Sequence, residues 1–242
     1  MYSLNSFNKL TAEEIKSGQV LLVDKPLNWT SFQAVSKIRY TLKNQLNEKK
    51  IKVGHAGTLD PLATGLLIIC VGKMTKEIHT FMGQEKEYVA QVKFGATTPS
   101  YDLESEINQT FPTAHITAHA ITAILPQFIG HIKQLPPIFS AIKQGGVRLY
   151  KKARAGQEVV VEPRDVFIRE IEIVSFTEQV LSIRVTCGKG TYIRSLAHDL
   201  GQALNSGAHL AGLRRTKIGP YSAEGAKDPI QWCEHFMETI EP

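Results

Sequence analysis

The residue in this chain best placed to do chemistry is Asp60, in Gly54-His55-Ala56-Gly57-Thr58-Leu59-Asp60-Pro61-Leu62-Ala63-Thr64-Gly65. Its neighbours control the backbone. Gly54, Gly57 and Gly65 permit positive φ or a close approach by another chain segment. Pro61 has no N–H and pushes Asp60 toward extended angles. Apolar, strand-like runs flank the stretch, with Ile51 and Val53 before it and Leu66 to Val71 after it. One carboxylate on a constrained loop between two core segments reads as a positioned reactive group. Taken as a bare pair, Asp60-Pro61 also reads as an N-cap and the first residue of a short helix.

Other chemistries have weaker support. Gly188-Lys189-Gly190-Thr191 suggests a phosphate loop, but the upstream glycine of a Walker A motif is missing, and Ile193 breaks G-x-G-x-x-G. His115 and His119 stand four apart in a predicted helix, a possible metal pair. No acidic residue lies between Glu106 and Glu158 to complete it. Asp60 with Asp102 or Glu104 could form a two-carboxylate glycosidase, which leaves that acid-free interval unexplained. The interval holds Lys133, Lys143, Arg148, Lys151, Lys152 and Arg154, six cations in a chain of net charge +5. It reads either as a polyanion-binding face or as a solvated lysine-rich surface. Phe139 and Tyr150 among the bases, and a hairpin turn predicted at Gly145-Gly146, favour RNA.

The elements that must position these groups follow from pattern. Thr11 opens a short helix with a capping box, and Val20 to Val23 is a predicted strand. Thr30 or Ser31 caps a helix whose Phe32, Val35, Ile38 and Leu42 recur at helical spacing. A short helix is predicted near Met74 to Phe81. Tyr88 to Phe94 alternates like a half-buried strand. A helix is predicted from Thr113 to Leu125, and a hairpin from Ile168–Phe176 and Val180–Cys187. A helix over Thr191–Leu204 puts Ile193, Leu196, Ala197, Leu200 and Leu204 on one face, and Asp228-Pro229 starts the last helix. Helices and strands mix without regular βαβ alternation, which predicts an α+β fold around a largely antiparallel sheet.

Several motifs together resemble one family. The aspartate stretch, Lys189-Gly190-Thr191-Tyr192-Ile193-Arg194 and Gly207-Ala208-His209-Leu210-x-x-Leu213-Arg214-Arg215 are similar, in order, to motifs of TruB-type tRNA pseudouridine synthases. Lys25-Pro26, Lys86-Glu87-Tyr88 and Pro136-Pro137-x-Phe139-Ser140-Ala141-x-Lys143 fit as well. The resemblance runs from about Val20 to Tyr221 and implies the pseudouridine synthase fold. It implies isomerisation of the T-loop uridine at tRNA position 55, with Asp60 catalytic. Tyr88 would stack on the flipped uracil, Arg194 would hold Asp60 ionised, and Tyr192 and Leu213 would line the uridine pocket. His55 would touch the T-loop, Lys25 would support Tyr88, and Asp102 would touch the RNA. Residues 133–161 would form an RNA-gripping insertion, with Lys143, Arg148, Lys151, Lys152 and Arg154 on phosphates.

Composition sets the remaining expectations. The 242 residues suit one catalytic domain spanning 1–242, with no room for the family's C-terminal RNA-binding PUA domain. No apolar run approaches a membrane span, and the first residues lack a signal-peptide pattern. Three cysteines without CxxC spacing fit a reducing cytoplasm and argue against a zinc cluster. The expected protein is a cytoplasmic monomer acting on the tRNA T-arm, with no cofactor, metal or guide RNA. The alternatives are a guide-RNA-dependent synthase of the dyskerin type and a non-catalytic RNA-binding module.

Overall fold

A computed structural model describes residues 11–140, 143–145, 147–149 and 161–240. By its internal contacts the chain divides into two compact units. One is Met1–Tyr88 with Arg214–Pro242, the other Val89–Leu213. Among the described residues no helix is long and apolar enough to cross a membrane.

In the first unit, α1 (Ala12–Ser17) carries the predicted capping box of Thr11 and Glu14. Strand β1 (Gln19–Lys25) pairs antiparallel with β3 (Ala63–Val71) from Gln19↔Val71 to Lys25↔Gly65. That register draws β3 three residues further upstream than its apolar run predicts. The short β2 (Val53–His55) lies on the other edge of β3. Every residue of Leu66–Val71 is buried, because each face of the strand is covered. Leu67, Ile69 and Val71 join Val35, Ile38 and Leu42 of α2 (Ser31–Gln45) and Trp232 and Phe236 of the last helix, α6 (Pro229–Thr239). Leu66, Ile68 and Cys70 face Phe81, Ile218 and Ala223. Such two-sided burial produces a continuous apolar strand rather than an alternating one. Phe32 departs from its predicted core face: in the first turn of α2 it is exposed, with the Arg39 guanidinium 5.6 Å from its ring centre. The short helix predicted near Met74 is a 3-10 turn, Gly72–Glu77, followed by α3 (Ile78–Gly83).

Strands β4 (Lys86–Phe94) and β12 (Ala208–Ile218) each contribute residues to both units. The second unit also holds the hairpin of β10 (Arg164–Thr177) and β11 (Val180–Cys187), and β7 (Gly130–Gln134) on the outer edge of β10. The β10–β11 turn is Glu178-Gln179, both at positive φ, a geometry that suits the right-handed twist of a hairpin. Smaller pairs are β5 (Ala96–Thr97) with β6 (Gln109–Thr110), and β8 (Lys143–Gln144) with β9 (Val147–Arg148). The last pair closes through Gly145, as the Gly145-Gly146 reading predicts. Lys133, at the start of the expected insertion, belongs to β7 and bonds Asp165 of β10 at 3.1 Å. Helix α4 (Ala118–Ile124) starts later than predicted. Thr117 is its N-cap, and the chain from Thr113 forms a turn closed by Ile116 N–H to the Thr113 carbonyl. Helix α5 (Ile193–Ala203) buries Ile193, Leu196, Ala197 and Leu200 as its periodicity predicts. The three cysteines are buried.

Candidate active site

The aspartate loop is shaped by bonds to its backbone. Thr30 takes the N-cap of α2, which leaves the Ser31 hydroxyl for the loop. That hydroxyl accepts from the Leu59 N–H at 2.8 Å and donates to the Leu59 carbonyl at 3.0 Å, fixing the residue before Asp60. The Pro61 carbonyl accepts from the Asn28 N–H at 2.9 Å, and the Asp60 carbonyl from the Ala63 N–H at 3.0 Å. Arg215, 1% exposed, donates to the Leu66 carbonyl at 2.7 Å and to the Gly57 carbonyl at 3.2 Å. It thus ties the two ends of the loop together. Gly65 sits at φ 101° against the Arg215 backbone, where any Cβ would overlap the Arg215 carbonyl. Replacing Ser31 with Ala strips two buried backbone groups of a partner. The Ser31→Ala variant should lose about 1–3 kcal/mol of stability by denaturant titration, with a larger proportional loss of activity.

Lys25 is fully buried at the end of β1. Its ammonium donates to the carbonyls of Trp29 (2.6 Å), Pro26 (2.9 Å) and Pro61 (3.5 Å). Burial lowers its pKa to about 8; the charges of Asp60 and Asp24 oppose that shift, and Arg215 reinforces it. A cation is therefore kept near Asp60 at neutral pH. Arg214 donates to Asp24 through both terminal nitrogens, Nη1 to Oδ1 at 3.0 Å and Nη2 to Oδ2 at 2.7 Å. His55, on β2, is half-buried, and its pKa is lowered by burial and by Arg215 against an opposing backbone contact with Gly57. Tyr88 lies half-buried in β4.

In the second unit, Arg194 and Asp102 form a buried pair, Nε to Oδ2 at 3.5 Å, with both side chains 5% exposed. Arg194 also donates to the Ser100 carbonyl at 3.1 Å and the Phe139 carbonyl at 3.0 Å. Asp102 is held in turn. Its carbonyl accepts from Thr98 and Ser100, its Oδ1 from the Glu104 N–H, and its backbone bridges to Leu210. Asp102, which the resemblance would have touching the RNA, is 4% exposed and faces Arg194. Tyr192 precedes α5, its N–H bonded to Gln134 Oε1 at 2.8 Å, and Ser195 donates to the Leu135 carbonyl at 2.7 Å. Leu213 is half-buried in β12.

His115 and His119 do not form the i, i+4 pair of the metal reading. His115 precedes α4 and bonds the Leu204 carbonyl at 2.8 Å. Among the basic residues of the insertion, only the backbone of Lys143 and Arg148 is described, while Lys151, Lys152 and Arg154 lie outside the described residues. Sequence reading placed Arg214 and Arg215 in a motif but gave them no task. Ser31 it took only for a possible cap. Adjacent arginines in a stretch that folds as strand β12, where neighbours face opposite sides, were the signal for Arg215.

A model of the N-terminal domain of TruB family pseudouridylate synthases matches residues 43–193, more than half of the chain. The chain belongs to the TruB family. A model of the tRNA pseudouridylate synthase B C-terminal domain matches 194–229 of this TruB chain. The Flavobacterium johnsoniae protein named tRNA pseudouridine synthase B is 59% identical over 220 residues, 90% of this chain and 96% of that one. The protein of the same name from Bacteroides fragilis is 53% identical over 90% of this chain and 94% of its own length. Among solved structures, the archaeal box H/ACA sRNP Nop10–Cbf5 complex matches with a TM-score of 0.64 at 28% identity, over 92% of this chain and 54% of that one. An H/ACA RNP bound to a substrate RNA containing 2′-deoxyuridine matches at 0.66, with 25% identity, over 100% and 66%. The TruB chain thus has a pseudouridine synthase fold and is an isomerase by family.

Proposed function

We infer that this protein converts uridine to pseudouridine in tRNA, with Asp60 as its catalytic group, and that its target is the T-loop uridine at position 55. The observation that carries the reading is the aspartate loop, whose backbone around Asp60 is held by Ser31, Lys25 and Arg215. Its match over 90% of the chain to proteins named tRNA pseudouridine synthase B supports tRNA as the substrate. The reaction breaks the C1′–N1 bond, turns the uracil, and forms C1′–C5. The C5 hydrogen is lost to solvent and N1 gains a proton, so nothing is oxidised. One carboxylate can begin this by attacking the nucleotide or by removing a sugar proton. Lys25 near Asp60 favours the ionised acid that either route needs.

The remaining roles are part of the proposal. Tyr88 would stack on the extruded base, Tyr192 and Leu213 would wall its pocket, and His55 would meet the T-loop. Arg194, aimed by Asp102, would serve Asp60. Lys143, Arg148, Lys151, Lys152 and Arg154 would hold phosphates and so position rather than select. The protein would act as a cytoplasmic monomer without cofactor or guide RNA. The test is pseudouridine mapping, with tritium release from 5-³H-uridine RNA, on a bare T-arm stem-loop and on full-length tRNA. Product on both RNAs with purified protein alone is the expected result. Activity only after a guide RNA is added would put the chain with the guide-dependent type, and binding without tritium release would make it a binding module.

A further inference from the structure

We propose that a lysine-walled concavity in the first unit, remote from Asp60, is a second site for RNA phosphates. It deepens the proposed function and rests on that reading. The concavity has a volume of about 320 Å³, and Lys16, Lys50, Lys52, Lys73 and Lys76 line it without any acidic side chain. Three segments bring these lysines together: the end of α1, the chain leading into β2, and the turn that follows β3.

Backbone bonds fix those segments. The Gly72 N–H donates to the Lys52 carbonyl at 2.8 Å, and the Thr75 hydroxyl donates to the Gly72 carbonyl at 2.8 Å. Gly72 sits at φ 61°, and a Cβ there would lie 2.6 Å from the Lys16 carbonyl oxygen. Glycine is what lets the last turn of α1 close onto the end of β3. The cations therefore stand on a built frame rather than on loose tails. Nearby acids offset them only in part. Glu48 pairs with Lys16, and Glu77 lies in the same 3-10 turn.

Ammonium groups converging on one hollow repel each other, and a bound polyanion removes that repulsion. Lysine acts as a point charge that accepts phosphate from many directions, which suits a nucleic-acid backbone better than a ligand of fixed shape. The Asp60 loop enters β3 at Ala63 and the concavity begins beyond Val71. At a rise of about 3.3 Å per residue the strand separates them by about 26 Å. A phosphate held there cannot touch the uridine at Asp60. The site adds affinity and orientation for the body of the RNA, and leaves base choice and the chemical step alone.

The test is a triple variant, Lys50→Gln with Lys52→Gln and Lys73→Gln, three exposed side chains whose loss leaves the core intact. Affinity for full-length tRNA should fall about tenfold, and the slope of log K against log salt should flatten by about 2, for about 0.7–0.9 per phosphate contact. The rate at saturating tRNA should not change. Lys37→Gln with Lys43→Gln, on α2 and outside the concavity, should barely alter the slope. An unchanged slope in the triple variant, or equal flattening in the α2 control, overturns the site while pseudouridine formation by the wild-type protein still upholds the function. A wild-type protein that makes no pseudouridine overturns the reading on which the site rests.

Discussion

Asp60→Asn should lower the rate of pseudouridine formation by about 10³-fold or more, the upper range for losing a positioned acid–base group, and leave tRNA affinity nearly unchanged. Asparagine keeps the shape of the side chain but has neither charge nor basicity. The loop should survive the change, because its shape depends on backbone groups. Ser31 holds Leu59, Arg215 holds Gly57 and Leu66, and Lys25 reaches the Pro61 carbonyl. Single-turnover assays separate the chemical step from binding, and residual activity within tenfold of wild type would remove Asp60 from its role. A second signature follows from the electrostatics of Lys25. Its pKa of about 8 is what burial leaves after the charge of Asp60 has pulled upward. Taking that charge away should lower the pKa further, which an NMR titration of a selectively labelled lysine would read.

Much of the frame around this site was legible because its elements are local and strongly patterned. The continuous run Leu66–Val71, the capping box at Thr11, the Asp228-Pro229 helix start and the apolar face of α5 each announce their structure in the sequence. What the sequence hid depends on tertiary partners. Nothing local shows that Ser31 would leave the helix cap to Thr30 and bind Leu59 instead, 28 residues away. Asp102 looks like a surface acid beside Pro99 and Ser100, and only the fold shows it buried against Arg194. The start of α4 slipped because Thr113 and Thr117 are both good caps, and the Thr113–Ile116 turn decides between them. The lysines of the concavity come from three separated segments, so charge counting along the chain passes over them, while the contiguous basic run at 143–154 draws the eye.

Arg194→Ala should slow pseudouridine formation by about 10²–10³-fold, and Arg194→Lys should recover only part of it. The guanidinium donates to the Ser100 and Phe139 carbonyls while its charge faces Asp102, which an ammonium on a flexible stem cannot match. Alanine has a second effect, since it leaves Asp102 buried without its cation, at a cost of about 3–5 kcal/mol for breaking a buried pair. The structural and catalytic parts can be separated. Arg194→Ala combined with Asp102→Asn removes both charges, so it should regain most of the lost stability in a denaturant titration. If the guanidinium serves Asp60, this double variant should stay as slow as Arg194→Ala alone. Joining Arg194→Ala to Asp60→Asn should then be no slower than Asp60→Asn, because groups that act as a unit do not lose rate additively. Recovery of both stability and turnover in the Arg194/Asp102 variant would make Arg194 a counter-ion of the fold. Recovery of stability alone assigns it to the chemistry.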